Sequence, residues 1–204
     1  MATLLHINSS VRDTGSISRQ LTAEFLSKWK TERPADLVVE RDLAVNPVPH
    51  LSEQTTGAFF TPAEKRSAEQ VQTVQLSDAL VAELFDAQVI VLGAPMYNFS
   101  ISSALKAWID HVTRAGLTFN YSEAGPVGMV TGKKVYVITA RGGVYTQGPA
   151  QSMDFQEPYL RAVLGFIGLT DVTFIHAEGL AMGDSAIDAA LSQSRLLIDE
   201  LVTA

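Results

Sequence analysis

The sequence contains no cysteine. This absence excludes disulfide bonds, cysteine-ligated zinc, iron–sulfur clusters and thiol nucleophiles, and it is consistent with a reducing compartment. Histidine is also scarce, and no two of the four histidines have the spacing of metal ligands. We therefore predict no metal centre.

Long apolar runs and basic runs are absent as well. No stretch approaches the roughly 20 apolar residues of a membrane-spanning helix, and the residues after Met1 do not have the pattern of a signal peptide. The formal net charge is −7, and no basic patch suggests nucleic-acid binding. These features predict a cytoplasmic protein that binds neither membranes nor nucleic acids.

Five apolar runs alternate with segments of helical periodicity, in a chain of 204 residues that is 47% hydrophobic. The runs occupy residues 3–8, 36–42, 88–93, 134–139 and 172–177. This alternation predicts a parallel sheet with helices on both faces. We expect a single domain over residues 1–204 with an α/β fold, namely a flavodoxin-like, doubly wound, five-stranded parallel sheet in the order 2-1-3-4-5.

Helical periodicity covers residues 16–31, 61–85, 100–115, part of 154–168 and the segment after 184. The sequence from Thr61 to Glu64 predicts a capping box at the start of the second helix, whereas the Pro-containing residues 43–60 predict a loop. In the third helix, His111 and Arg114 are expected on the polar side. Residues 118–132 predict a small hairpin.

Three loops follow the first, third and fourth predicted strands, and parallel strands bring them to the same carboxyl edge of the sheet, where ligands of such folds bind. The first loop carries hydroxyls at Ser10, Ser16 and Ser18 and a turn residue at Gly15. Hydroxyls and the free N–H groups of a helix N-terminus suit a phosphate. The alternative is an ordinary serine N-cap of the first helix.

The second loop contains Met96, Tyr97, Asn98 and Phe99. Two aromatic side chains after a buried strand need something to pack on, and the Asn98 amide offers a donor and an acceptor to the edge of a polar ring. Met96 suits the face of such a ring. The alternative is an aromatic corner that packs on its own fold.

The third loop, Ala140-Arg141-Gly142-Gly143, places a glycine pair after the fourth strand. Backbone N–H groups there would reach the N1/O2 edge of a flavin and stabilise the charge that develops on reduction. The three loops together predict a site for a mononucleotide with a planar head, with flavin mononucleotide (FMN) as the leading candidate.

The chain resembles the FMN-dependent NADH:azoreductases, flavodoxin-like enzymes related to the quinone reductases. The motifs that carry the resemblance are Ser10 with Ser16-Ile17-Ser18, Met96-Tyr97-Asn98-Phe99, Thr118-Phe119-Asn120-Tyr121, Gly125-Pro126, Thr131-Gly132-Lys133-Lys134, Leu164-Gly165-Phe166-Ile167-Gly168 and Ala177-Glu178-Gly179. They span almost the whole chain.

The resemblance assigns a role to each loop. It implies that Ser10, Ser16, Ile17 and Ser18 hold the FMN phosphate, and that residues 96–99 contact the isoalloxazine. Residues 140–143 then bind the pyrimidine edge. Ala140 is a departure, because relatives often have serine there, so any contact at this position must come from the backbone.

The resemblance implies that FMN passes a hydride from NADH or NADPH to a quinone or an azo compound in a two-electron ping-pong reaction, with no catalytic side chain. An electron carrier of the flavodoxin type is the alternative. The family also implies a homodimer with active sites at the subunit interface. Phe59, Phe60, Asn120 and Tyr121 are then expected to cover the partner's flavin, although Phe59 and Phe60 would equally serve to anchor their own loop.

Overall fold

The computed structural model describes residues 1–203 and contains a central sheet of five parallel strands. Its order is β2-β1-β3-β6-β7, which confirms the predicted fold, since the other two strands form a separate hairpin. The seven strands in the described part of the chain are β1 (Thr3–Asn8), β2 (Leu37–Asp42), β3 (Val89–Pro95), β4 (Phe119–Ser122), β5 (Gly125–Gly128), β6 (Lys134–Ala140) and β7 (Asp171–Ala177). Every residue of β3 is buried, as expected for a central strand that is covered on both faces.

Within residues 1–203, six α-helices surround the sheet. They are α1 (Ile17–Glu32), α2 (Glu53–Phe60), α3 (Ala68–Asp86), α4 (Ser103–Val112), α5 (Glu157–Phe166) and α6 (Asp184–Thr203). One core cluster joins α1 and α6 to the sheet through residues such as Phe25 and Ile198. The other joins α3, α4 and α5 through residues such as Leu84, Trp108 and Leu164. Each fully buried side chain of this size contributes about 1.5–3 kcal/mol, so both faces are firmly packed. No helix in residues 1–203 is long and apolar enough to cross a membrane.

The prediction that residues 43–60 form only a loop is wrong, because α2 occupies its second half. The Ser52 side chain caps this helix by accepting a hydrogen bond from Thr55 N at 3.1 Å. Ala58 is buried beneath the helix. The cap and the buried face outweigh the cost of Gly57 in a helix interior.

The capping box predicted from Thr61 to Glu64 is also wrong. Thr61 ends α2, and both its N–H and its hydroxyl donate to Gly57 O. A short 3₁₀ turn follows over Ala63–Lys65. The capping box of α3 lies at Ser67 and Gln70 instead, because the Thr61 hydroxyl is already engaged in ending the preceding helix.

The polar side predicted for the third helix is wrong at two positions. His111 and Arg114 are both 2% exposed. Arg114 donates to Ser77 and Asp78 on α3, and His111 pairs with the Pro49 carbonyl at 3.0 Å. The packing of α3 and the preceding loop against this face buries residues that helical periodicity alone assigns to solvent.

Candidate functional site

The three predicted loops converge at the carboxyl edge of the sheet around a cavity of about 410 Å³. In register, Pro95 at the end of β3 lies beside Ala140 at the end of β6, and the Ala140 carbonyl accepts from Met96 N at 2.9 Å. Eight predicted site residues line the cavity: Ser10, Ser16, Ile17, Met96, Tyr97, Ala140, Arg141 and Gly142. The other four predicted site residues do not line it: Ser18, Asn98, Phe99 and Gly143.

One end of the cavity is a cluster of hydroxyls at the N-terminus of α1. The Ser16 Oγ lies 2.9 Å from the Ser10 Oγ and 3.2 Å from the Ser18 Oγ. Ser16 is the N-cap and accepts from Arg19 N, whereas the N–H groups of Ile17 and Ser18 have no acceptor within residues 1–203. Free N–H groups, hydroxyl donors and the positive end of the helix dipole form a site suited to a phosphate.

Arg12 adds a positive charge to this end and was not predicted as a site residue. It lines the cavity, and its Nη2 lies 3.1 Å from the point that a Cβ on Gly15 would occupy. Gly15 has a φ of +65°, so the glycine both makes the turn and leaves room for the guanidinium. The sequence did contain a signal for Arg12, because a cationic side chain in a predicted phosphate-binding loop is itself a candidate phosphate ligand.

The phosphate loop is held from behind by an ion pair. The Arg19 guanidinium bonds the carboxylate of Asp42 at the end of β2, and its Nη2 donates to Ser10 O at 2.8 Å. The hydrogen bond from Arg19, with further bonds from Ala44 and Val45 N–H, lowers the pKa of Asp42 to about 2 despite its partial burial. Asp42 is therefore ionised at neutral pH and keeps Arg19 against the loop.

The second loop ends in a tight turn. Tyr97 and Ser100 exchange two backbone hydrogen bonds of 2.9 and 3.0 Å, and the residues between them, Asn98 and Phe99, have φ values of +47° and +70°. Positive φ at both central residues is the geometry of a type I′ turn. Glycine and asparagine adopt it readily, but a bulky aromatic does so at a cost, so Phe99 marks a locally strained backbone.

This turn directs Asn98 to the side of the main cavity. Asn98 is exposed and lines an adjacent groove of about 610 Å³, which shares Tyr97 with the cavity. The Tyr97 hydroxyl accepts from Val11 N at 3.4 Å, so it connects the first loop to the second. Phe99 is 40% exposed and packs edge-on against Tyr145, with ring centroids 6.3 Å apart.

The third loop pairs with the segment that follows β7. The carbonyls of residues 141, 142 and 143 accept from the N–H groups of residues 180, 181 and 179, at 2.9–3.1 Å. Leu180 and Ala181 also line the cavity. The sequence did not predict these two residues, because aliphatic residues after a strand carry no functional signature.

The Arg141 side chain is fully buried and supports the loop from within the protein. Its guanidinium lies 3.0 Å from both Asp154 and Glu178 and donates to Gln156 at 2.9 Å. Its positive charge is thus compensated by two carboxylates. Burial raises the pKa of Glu178, but the hydrogen bonds from Thr146, Tyr145 and Arg141 outweigh it, so the pKa lies below its usual range.

The residues predicted to cover a flavin lie away from this cavity. Phe59 packs over the Arg114 guanidinium at 3.9 Å and, with Phe60, lines a separate groove between α2, α3 and the segment that follows α4. Asn120 and Tyr121 are exposed on the β4–β5 hairpin, and Tyr121 packs edge-on against Phe119. Phe60 and Tyr121 are 77% and 75% exposed.

The chain is similar to known proteins in both sequence and fold. A profile of proteins described as having a flavodoxin-like fold matches residues 2–201. An FMN-dependent NADH:quinone oxidoreductase from Herminiimonas arsenicoxydans is 62% identical over 204 residues, which is 100% of each chain. FMN-dependent NADH:quinone oxidoreductase 2 from Pseudomonas fluorescens is 51% identical over 201 residues, 98% of this chain and 100% of the relative.

Solved structures of similar shape include two from Bacillus anthracis. One is an azoreductase with 29% identity and a TM-score of 0.89, covering 98% of this chain and 100% of that chain. The other is an FMN-dependent NADH-azoreductase in complex with FMN, with 25% identity and a TM-score of 0.87, covering 98% and 99%.

Proposed function

Since the chain belongs to the family of proteins with a flavodoxin-like fold, and since its relatives are FMN-dependent NADH:quinone oxidoreductases over their full length, we propose that it catalyses the same reaction. NADH is the proposed electron donor, and quinones and azo compounds are the proposed acceptors, the latter because similar structures are azoreductases. Nothing in these relatives supports the alternative of an electron carrier.

The observation that carries the proposal is the chemistry at the two ends of one cavity. The end at α1 has three clustered hydroxyls, two unpaired N–H groups and Arg12, as a phosphate requires. The end at β6 has a glycine pair, Gly142 and Gly143, whose two N–H groups have no acceptor within residues 1–203. A mononucleotide with a flat polar head matches both ends.

We assign the binding roles accordingly, within a single FMN-binding domain of residues 1–204. The phosphate is held by Ser10, Ser16, Ile17 and Ser18; the isoalloxazine is contacted by Met96, Tyr97, Asn98 and Phe99; and the pyrimidine edge is bound by Ala140, Arg141, Gly142 and Gly143. Bound FMN supplies hydride transfer. The protein orients it, and no side chain acts as nucleophile. Because donor and acceptor would use the same exposed face in turn, ping-pong kinetics are expected.

The test is binding followed by kinetics. The purified protein should bind stoichiometric FMN and release FMN, not FAD, on denaturation. With NADH and a soluble benzoquinone, initial rates should give parallel double-reciprocal lines. A protein that shows no spectral change with FMN contradicts the proposal at its first step, and intersecting lines contradict the shared site.

We further propose a homodimer located in the cytoplasm. The support is the exposure of aromatic residues on two elements that leave this chain's own cavity uncovered, Phe60 on α2 and Tyr121 on the hairpin. Light scattering coupled to size exclusion should give twice the 22.0 kDa chain mass. Phe60→Ser with Tyr121→Ser should shift the mass towards the monomer, whereas Val71→Ser, at a position of α3 that is 53% exposed, should not. A monomeric wild type contradicts this proposal and leaves the proposed reaction standing.

A further inference from the structure

In the loop after β6, the N–H groups of residues 142–144 point away from the neighbouring segment, residues 179–181. The carbonyls of residues 141–143 all point to the N–H groups of residues 179–181. No peptide bond in residues 1–203 is cis, and in a trans peptide the C=O and the following N–H point in opposite directions. The N–H groups of Gly142, Gly143 and Val144 therefore face away from that segment, and they have no acceptor within residues 1–203.

One carboxylate bonds both ends of this loop. The Glu178 Oε1 accepts from Tyr145 N at 2.9 Å and from Arg141 Nη1 at 3.0 Å. The Glu178 Oε2 accepts from the Thr146 hydroxyl at 2.6 Å. Glu178 thus bonds residues on both sides of the three unpaired N–H groups, in a mostly buried position where its side chain is 11% exposed.

A flexible glycine loop would have to be ordered at the moment of binding, and that ordering reduces affinity. Glu178 removes much of this cost, because its bonds are made in the free protein. Preorganised donors matter most where negative charge develops, since they need no reorganisation during the reaction. The reduced flavin carries more negative charge at its N1/O2 edge than the oxidised flavin.

We propose that Glu178 is a positioning residue, whose carboxylate fixes residues 141–146 so that the N–H groups of this loop face the pyrimidine edge of bound FMN. This inference rests on the proposed function and adds a specific consequence to it. Fixing these donors stabilises reduced FMN more than oxidised FMN, and so raises the reduction potential of the bound flavin.

The decisive variants are Glu178→Ala and Glu178→Gln. Alanine removes every bond to the loop. Glutamine keeps an oxygen for Tyr145 N, while its amide N–H can donate to the Thr146 hydroxyl oxygen. Glu24→Ala is the matched control, because Glu24 accepts two hydrogen bonds from Arg195, of 2.8 and 2.9 Å, which join α1 to α6. Glu24 makes no hydrogen bond to the loop after β6 within residues 1–203.

Affinities for FMN and riboflavin and the reduction potential of bound FMN are measured for each protein, with thermal unfolding of the apoprotein as the check on folding. For Glu178→Ala we expect both affinities to fall by the same factor, on the order of tenfold for bonds of this kind, and the potential to become more negative. Glu178→Gln should lie between this variant and the wild type. Glu24→Ala should leave both affinities and the potential unchanged.

Four results overturn the inference: a folded Glu178→Ala with unchanged affinity and potential, a loss for FMN but not for riboflavin, an equal loss in Glu24→Ala, or a Glu178→Gln no better than alanine. If Glu178→Ala does not fold, Thr146→Val takes its place, because it removes only the hydroxyl bond to Glu178. An unchanged reduction potential in both Thr146→Val and Glu178→Gln then overturns the inference. A wild type that binds no FMN overturns the proposed function as well, whereas each of the other results leaves the proposed function standing.

Discussion

The two ends of the cavity hold their donors in different ways. At the α1 end the donors are side-chain hydroxyls and helix N–H groups, arranged within a single stretch of chain from Ser10 to Ser18. At the β6 end they are backbone N–H groups whose direction is set by hydrogen bonds with residues 178–181, almost 40 residues further along the chain. The N–H groups of residues 179–181 donate to the loop, and the Glu178 carboxylate accepts from it. We call the α1 end the local end, because its donors are neighbours in the sequence. We call the β6 end the tertiary end, because residues distant in the sequence orient its donors.

This difference has a consequence for how each end tolerates mutation. At the local end, substituting a serine removes a donor but leaves the helix N-terminus and its dipole in place. At the tertiary end, no side chain of the loop itself needs to touch the ligand, so loss of a distant carboxylate disturbs several donors together. The two ends should therefore respond separately to substitution.

The largest effect is expected from Ser16→Ala combined with Ser18→Ala. Each hydrogen bond from a hydroxyl to a charged phosphate contributes roughly 1.5–3 kcal/mol, so losing two should weaken FMN binding about a hundredfold or more. Riboflavin has no phosphate, and its affinity should stay near that of the wild type. Dissociation constants for both ligands, measured by quenching of flavin fluorescence, give the comparison.

The control for this double variant is Ser27→Ala combined with Thr31→Ala on the same helix, where both side chains lie in a groove near the C-terminus of α1. These changes should leave both affinities as they are. If FMN and riboflavin lose affinity equally in the Ser16/Ser18 variant, then the serines support the ring end or the fold, and the separation of the two ends is wrong.

A smaller effect, confined to the ring end, is expected at Asn98. Replacing its amide should cost on the order of 1–3 kcal/mol of FMN affinity if it bonds a buried polar edge, and riboflavin should lose the same amount. Asn98→Gly is the better substitution, because a φ of +47° suits glycine and disfavours alanine. Asn98→Ala should bind FMN no more tightly than Asn98→Gly and should also be less stable.

This prediction can fail in an informative way, because Asn98 lines the groove beside the main cavity. Unchanged FMN affinity in Asn98→Gly, together with a raised KM for NADH or quinone, would assign the amide to a substrate and not to the flavin. Unchanged affinity and unchanged kinetics would exclude it from the site altogether.

The sequence predicted the local end and the sheet because both depend on patterns a few residues long. Buried strands are continuous apolar runs, and Ser16 is an N-cap directly before a helical repeat. The sequence did not predict the role of Glu178, because its partners Arg141 and Thr146 are distant in the chain. The burial of His111 and Arg114 was missed for the same reason, since α3 covers a face that periodicity assigned to solvent.

A third prediction concerns the ion pair behind the phosphate loop. Asp42 has its pKa lowered from 3.8 to about 2, so its folded-state charge stabilises the protein above the unfolded pKa, and this contribution is lost as the pH falls from about 4 to 2. After allowance for solvent screening, Asp42→Asn should lower the free energy of unfolding at pH 7 by about 1–2 kcal/mol. Urea titrations at pH 7 and at pH 3 should show the difference between the two proteins shrinking at the lower pH.

Asp42→Asn should also weaken FMN more than riboflavin, because Arg19 holds the Ser10 carbonyl in place. Glu83→Gln provides the comparison, since it disrupts the Arg41–Glu83 ion pair, which makes no bond to the phosphate loop. It should lower stability without favouring one ligand. An equal loss of both ligands in Asp42→Asn would mean that the ion pair supports the whole sheet edge and not the phosphate end alone.

The smallest effect is expected at Phe99, where the ring end stores backbone strain. Phe99 has a φ of +70°, a conformation that costs about 1–2 kcal/mol for a residue with a Cβ. Phe99→Ala and Phe99→Gly both remove the half-exposed ring, but only glycine relieves the strain. Glycine also adds entropy to the unfolded chain, which offsets roughly 0.4–1 kcal/mol of this gain. The apoprotein of Phe99→Gly should therefore unfold at a slightly higher urea concentration than that of Phe99→Ala.

Strain of this kind persists where it positions functional groups. The glycine variant should therefore bind FMN and riboflavin less tightly than the wild type, and by equal factors, although its turn is the more relaxed. Equal stability of the two variants would show that the turn is unstrained, and full flavin affinity in Phe99→Gly would show that the turn's geometry is not needed at the ring end.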